Sequence, residues 1–159
     1  MTTVKVSRKG ANRVASGRPW IYSSDVLERA DAQAGDVVFV ADERGRVLGT
    51  AHFSSTSQIT LRLLSTKREP IDREFYLRRL KQAIEHRKLV VQNSDACRLV
   101  FSEADLLPGL IVDQYGPYLV VQFLTQGMDR ASADIVSCLQ ELLKPAGILA
   151  RNESAVRKL

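Results

Sequence analysis

Short strand-like runs, two of them with alternating apolar and polar residues, mark the first 65 positions of the chain, and apolar residues then recur at helical spacing. In Val4-Lys5-Val6-Ser7 every second residue is apolar, the pattern of a half-buried strand. Val37–Asp42 (VVFVAD) and Val47–Phe53 (VLGTAHF) flank Glu43-Arg44-Gly45-Arg46, which signals a hairpin. Gln58–Ser65 alternates again and sets Ile59, Leu61 and Leu63 on one face. Between the first strand and the hairpin lies Ser23–Ala30 (SSDVLERA), where Ser24 or Asp25 can cap a short helix. Short strands joined by tight turns predict a strongly curved β module, a small barrel.

The period changes after a polar link, Thr66–Pro70, so the expected domains are 1–68 and 71–159. Asp72 stands where an N-cap belongs, with Glu74 in the first turn beside the positive helix end. Ile71 and Tyr76 can close a hydrophobic staple across it. Leu77, Leu80, Ile84 and Val91 share a face, predicting a helix over about 73–92, with Arg78, Lys81 and Lys88 on another face. Three strands are then expected, Arg98–Glu103, Gly109–Gln114 and Tyr118–Leu124. Asp129 is the expected cap of a second helix whose buried stripe is Ile135, Val136, Leu139, Leu142 and Leu143. Pro145 ends that helix, and Gly147–Ala150 can be a last strand. The order predicts an α+β chain: a small β-barrel, then an α+β domain with an antiparallel hairpin meander and two helices.

Composition narrows the class. The chain is 45% hydrophobic and 26% charged over 159 residues, enough for one domain or two small ones with real cores. No apolar run approaches the ~18 residues of a membrane helix, and MTTVKVSRKG lacks a signal-peptide core, so a cytoplasmic protein with no membrane partner is expected. Two cysteines, Cys97 and Cys138, make neither a disulfide framework nor a zinc cluster; both are expected as small buried residues.

Charge is uneven. Residues 1–70 carry 11 Lys/Arg against 7 Asp/Glu, a surplus of 4; residues 71–159 carry 12 against 11. No acid precedes Asp25, whereas Lys5, Arg8, Lys9, Arg13 and Arg18 do. Such an excess either attracts a polyanion through counterion release or is a solvated basic face.

The stretch Glu103–Gly116 (EADLLPGLIVDQYG) offers three carboxylates, Glu103, Asp105 and Asp113, around Leu107-Pro108-Gly109. Proline at the second and glycine at the third position of a turn fit type II, and Asp113–Pro117 reads as a second turn, giving two linked hairpins. The acids can form a metal or general-base site, or accept from turn N–H groups and pair with arginines. Neither histidine, His52 nor His86, is near them in sequence.

Glu103–Gln122 (EADLLPGLIVDQYGPYLVVQ) resembles the hallmark of the middle domain in a family of S-adenosylmethionine-dependent 23S rRNA cytosine-C5 methyltransferases. Arg79, Ala83, Arg87 and Arg98-Leu99-Val100 stand where that family has R…A…R…RLV. Gly17–Val26 (GRPWIYSSDV), Gly35–Asp42 and Ser54–Ser65 resemble its N-terminal PUA domain, with Arg18 in place of the usual histidine. The resemblance implies that the chain is the N-terminal, RNA-binding and substrate-recognition half of such an enzyme. S-adenosylmethionine and the catalytic cysteine would then belong to a Rossmann-like domain outside this chain. No glycine-rich loop follows a strand here, and neither cysteine matches the catalytic context, so no cofactor is expected in the chain itself.

By that resemblance ribosomal RNA is the partner, held by the loop after the first strand at Arg13, Gly17, Arg18 and Trp20. Arg8, Lys9, Arg13 and Arg18 would contact phosphate. Trp20 can stack on a base, although the barrel core is its expected place. Two other readings stay open: a free-standing enzyme using the three carboxylates, and an interaction module or homodimer that pairs through an exposed edge strand, Val120–Leu124.

Overall fold

A computed structural model describes residues 1–152 of the chain. They form two compact units, one of residues 1–71 and one that starts at residue 72.

In the first unit the strands are β1 (Thr3–Val6), β2 (Trp20–Tyr22), β3 (Val26–Glu28), β4 (Val37–Ala41), β5 (Val47–Phe53) and β6 (Ile59–Ser65), with one helix, α1 (Arg8–Ala15). They build a single sheet in the order β2-β6-β5-β4-β1-β3. Only β1 and β4 run parallel. The two outermost strands, β2 and β3, are consecutive in the chain and joined by a 3-10 turn, Ser23–Asp25. Three residues span at most about 10 Å, so the sheet must curl until its edges approach. Alternation then fills the interior with Val4, Val6, Ile21, Val38, Val40, Ala51, Phe53, Leu61 and Leu63, and α1 adds Val14. The α+β class and the curled PUA-like barrel are as expected. The segment 66–70 is tied back onto this unit: Thr50 Oγ1 donates to the Lys67 carbonyl at 2.8 Å, and Arg68 lies 4.5 Å over the Phe39 ring.

One local expectation fails here, and one element was not anticipated. Ser23–Ala30 is not a helix but a 3-10 turn running into β3, because Asp25 turns inward instead of capping. The segment after Ser7 is a helix that its sequence, RKGANRVA, hardly announces.

The second unit carries α2 (Arg73–Val90), β7 (Ala96–Phe101), β8 (Leu110–Tyr115), β9 (Tyr118–Phe123), α3 (Gln126–Arg130), α4 (Ser132–Leu143) and β10 (Gly147–Ala150). The sheet order is β10-β9-β8-β7, with β7-β8-β9 an antiparallel meander and β10 parallel to β9. Asp72 caps α2, its carboxylate accepting from the Phe75 N–H at 3.0 Å. The buried face of α2 is Phe75, Tyr76, Leu80, Ala83 and Ile84, one position earlier than a stripe centred on Leu77. The second helix is broken in two. Thr125, not Asp129, is the first cap, accepting from Met128 N–H at 3.3 Å, while Asp129 is exposed within α3. Ile135, Cys138 and Leu139 face the core, and Lys144, at φ 45° just before Pro145, ends α4. Cys97 is only half-buried, because β7 starts at Ala96 near the sheet margin.

The edge expected at Val120–Leu124 is absent. β9 lies inside the sheet, paired with β8 on one side and β10 on the other. No helix among the described residues is long and apolar enough to cross a membrane.

Candidate nucleic-acid interface

Ser7 ends β1 and caps α1, its hydroxyl accepting from the Gly10 N–H at 3.2 Å. The first turn that follows contains Arg8 and Lys9 and no acid. Both side chains are exposed. Cations beside the positive end of a helix oppose the macrodipole. α1 closes at Gly17, where the Arg18 N–H reaches the Arg13 carbonyl at 3.0 Å and the Gly17 N–H reaches Val14 at 2.9 Å. This is a Schellman closure, and its glycine takes φ +77°, a region that side chains avoid. Nothing lies within 4 Å of where a Gly17 Cβ would be, so the loop backbone is open to a close-approaching ligand. Arg18 is exposed beside it.

Arg13 has a different task from Arg8, Lys9 and Arg18. Its Nε donates to Asp25 at 3.0 Å and its guanidinium lies 4.9 Å over the Tyr22 ring. The Asp25 side chain is 3% exposed. Arg13 thus neutralises a buried carboxylate and joins α1 to the 3-10 turn, a structural role.

Trp20 departs from its expected place. In β2 the alternation sends Ile21 inward, at 0% exposure, and Trp20 outward, at 38%. Trp20 is in register with Arg62 on β6, and Arg62 with His52 on β5. The three belong to one cross-strand row, because directly opposed residues share a face. His52 is buried, and its imidazole pKa falls to about 4, first from loss of hydration and then from the Arg62 charge. It is neutral at pH 7 and adds no charge to this face.

Arg44 and Arg46, which the hairpin signal presents only as turn residues, join Arg8 and Asn12 in lining an open groove of about 580 Å³. Asp42 organises that turn. Its Oδ1 accepts from the Arg46 and Arg44 N–H groups at 2.9 and 3.0 Å, and its Oδ2 from Arg46 Nε at 3.1 Å. These contacts, the Arg46 N–H first, hold its carboxyl below the usual carboxylate value. No local sequence signal announces this groove: β1 and β4 are parallel in the fold, so Ser7-Arg8 and Asp42–Arg46 leave the sheet at the same end.

The three carboxylates of the hallmark stretch do not converge. Asp113 sits in β8 and takes a two-pronged contact from Arg98 across the ladder, Nε to Oδ1 at 2.8 Å and Nη2 to Oδ2 at 3.1 Å. Asp105 accepts from Arg87 Nη2 and from the Phe101 N–H, both at 2.6 Å. Glu103 accepts from the Ser102 hydroxyl. Arg87 also donates to the Arg98 carbonyl at 2.8 Å, so the arginines of the resembling motif brace the hairpins. The Pro-Gly turn forms as read: the Leu110 N–H closes on the Leu107 carbonyl at 3.0 Å with Gly109 at φ +86°. Among the described residues no group of three His, Cys, Asp or Glu could hold a metal ion. The carboxylate-enzyme reading fails because each acid is spent on an arginine or a turn donor.

The first unit is a PUA-like domain: residues 4–66 match that family. Over its whole length the chain is similar to large-subunit ribosomal RNA methyltransferases I. It is 37% identical to that of Tolumonas auensis over 161 residues, covering 99% of this chain and 41% of the relative. It is 36% identical to that of Klebsiella pneumoniae over 144 residues, 88% of this chain and 36% of the relative. The chain therefore spans about two-fifths of the length of the curated relatives it matches. Among solved structures, a candidate SAM-dependent methyltransferase from Streptococcus mutans superposes with a TM-score of 0.84 at 18% identity, over 96% of this chain and 41% of that one. At that identity the likeness is one of fold.

Proposed function

We propose that this chain is the RNA-binding, substrate-recognition half of an S-adenosylmethionine-dependent methyltransferase acting on cytosine C5 of 23S rRNA in the cytoplasm. The observation that carries the reading is the 37% identity, over 99% of the chain, to a large-subunit rRNA methyltransferase. The nucleotide class and the 23S target rest on the hallmark resemblance. Residues 1–68 hold RNA, and residues 71–159 form the middle domain that presents it to a catalytic domain supplied by the rest of the parent. The cofactor and the nucleophile belong to that part.

The physical support is the cationic, open end of the first unit. Arg8, Lys9 and Arg18 are exposed cations; of the acids near them Asp25 is taken by Arg13 and Asp42 by its own turn, and Glu43 accepts from the Arg8 N–H. Gly17 lets a sugar-phosphate backbone approach closely. Trp20, partly exposed in β2, offers a ring face for stacking. Salt titration of binding to a 23S rRNA fragment tests the proposal. Affinity should fall log-linearly with salt at about 0.7 to 0.9 per phosphate contacted. No binding at low salt, or binding indifferent to salt, would refute it.

A second reading, an interaction module without catalysis, now rests on β10 instead of Val120–Leu124. Among the described residues β10 is the terminal strand of its sheet, and Leu149 on it is 63% exposed. Light scattering decides it: a concentration-dependent dimer supports that reading, a monomer removes it.

A further inference from the structure

We infer that the groove between the first turn of α1 and the Asp42–Arg46 turn is a second phosphate-binding site for the same RNA, so that its backbone runs along α1 from Arg44 and Arg8 to Arg18. The inference rests on the RNA-binding reading and extends it to residues in another part of the sequence. Parallel pairing of β1 with β4, Lys5 opposite Ala41, delivers both segments to one end of the barrel. There Arg8, Asn12, Arg44 and Arg46 line one groove.

The groove also contains Asp42 and Glu43, so three arginines face two carboxylates and leave a surplus of one positive charge. Asp42 is consumed by the Arg44 and Arg46 N–H groups and by Arg46 Nε. Glu43 is turned toward the α1 backbone, accepting from the Arg8 N–H at 3.2 Å. The guanidinium groups of Arg8 and Arg44 have no hydrogen-bond or ion-pair partner among the described residues, and both residues are exposed. The Glu43 carboxylate compensates the positive helix end, while the two exposed guanidinium groups on either side of the groove are paired with nothing among the described residues. Such positions are expected where an external ligand supplies the compensation. A guanidinium pair facing a groove suits phosphate oxygens, which each can bind with two parallel N–H bonds. α1 has eight residues and is about 12 Å long, so the groove and the Gly17-Arg18 loop are separate contacts on one strand path.

The test compares salt slopes for the whole chain on the 23S rRNA fragment. R8A/R44A should lower the slope by about 1.4 to 1.8, the loss of two phosphate contacts. R8K/R44K should restore most of it, because charge is kept. R29A is the control: Arg29 is exposed but follows β3, whose antiparallel pairing with β1 (Lys5 opposite Glu28) carries it toward the other end of the barrel. Its slope should stay within a few tenths of the wild type. Thermal melts should be unchanged for all three variants, since neither arginine braces the fold. If wild type binds and R8A/R44A keeps the wild-type slope, or falls no further than R29A, the groove is not a phosphate site while the RNA reading stands. If wild type does not bind at low salt, both fail.

Discussion

Acidification should destabilise the first unit through His52. The imidazole is buried among β-sheet residues and its pKa drops to about 4, from an ordinary value of 6.5, through lost hydration and the neighbouring Arg62 charge. A histidine with a lowered native pKa binds protons more readily when unfolded. The stability it contributes is complete above the unfolded value and is lost as pH falls from about 6.5 toward 4. Linkage gives a loss of roughly 2 kcal/mol by about pH 5 and roughly 3 kcal/mol below pH 4, at 1.36 kcal/mol per pKa unit. Urea denaturation of wild type and H52Q at pH about 7.5 and about 5 measures it, with an NMR titration of the imidazole C–H signals alongside. The wild type should lose roughly 2 kcal/mol more than the variant between the two values. A His52 signal that titrates near 6.5, or an equal acid loss in H52Q, would show that the burial argument is wrong.

Three further outcomes are expected. D25N should destabilise the first unit by roughly 3 kcal/mol, because it leaves the Arg13 charge beside a neutral amide in a mostly buried place; urea unfolding checks it. G109A should cost roughly 2–4 kcal/mol, since φ is +86° and the new Cβ would fall 2.5 Å from Thr125 Cγ2, whose side chain caps α3; a lowered Tm in the second unit is the readout. W20A should weaken RNA binding by about 1–3 kcal/mol with little change in Tm, and the chain's single tryptophan makes quenching of its own fluorescence a direct binding signal.

What could be read from sequence followed how many residues repeat a pattern. β4, β5 and β6 are apolar-rich runs of five to seven residues bounded by turn signals, and α2 has eighteen residues with a carboxylate cap, so their positions were legible. α1 was not. Only Gly10 and Val14 of its eight residues are buried, so no stripe exists, and the remaining clues were Ser7 and Gly17 at its two ends. β2 has three residues, too few to tell whether Trp20 or Ile21 faces the core. Thr125 and Asp129 are both competent caps, and only tertiary packing of Gly127 and Met128 selects the first. Strand order escapes local pattern entirely, which is why β9 read as an edge until β10 was seen beside it. For the site, the basic N-terminal stretch was visible as composition. The pairing of Arg13 with Asp25, and the groove that Arg44 shares with Arg8, need the fold.

The location of β1 bears on how the barrel is made. The first four residues to become a strand, Thr3–Val6, end in the interior of the sheet, between β3 and a parallel β4. During synthesis they must wait for Phe39–Ala41 before gaining that neighbour, and the sheet reaches its other edge only when β6 emerges to receive β2. Closure thus depends on contacts distant in sequence, the kind that fold slowly. Lys5, Arg8 and Lys9 lie on and directly after β1, so their final positions depend on that same long-range pairing with β4.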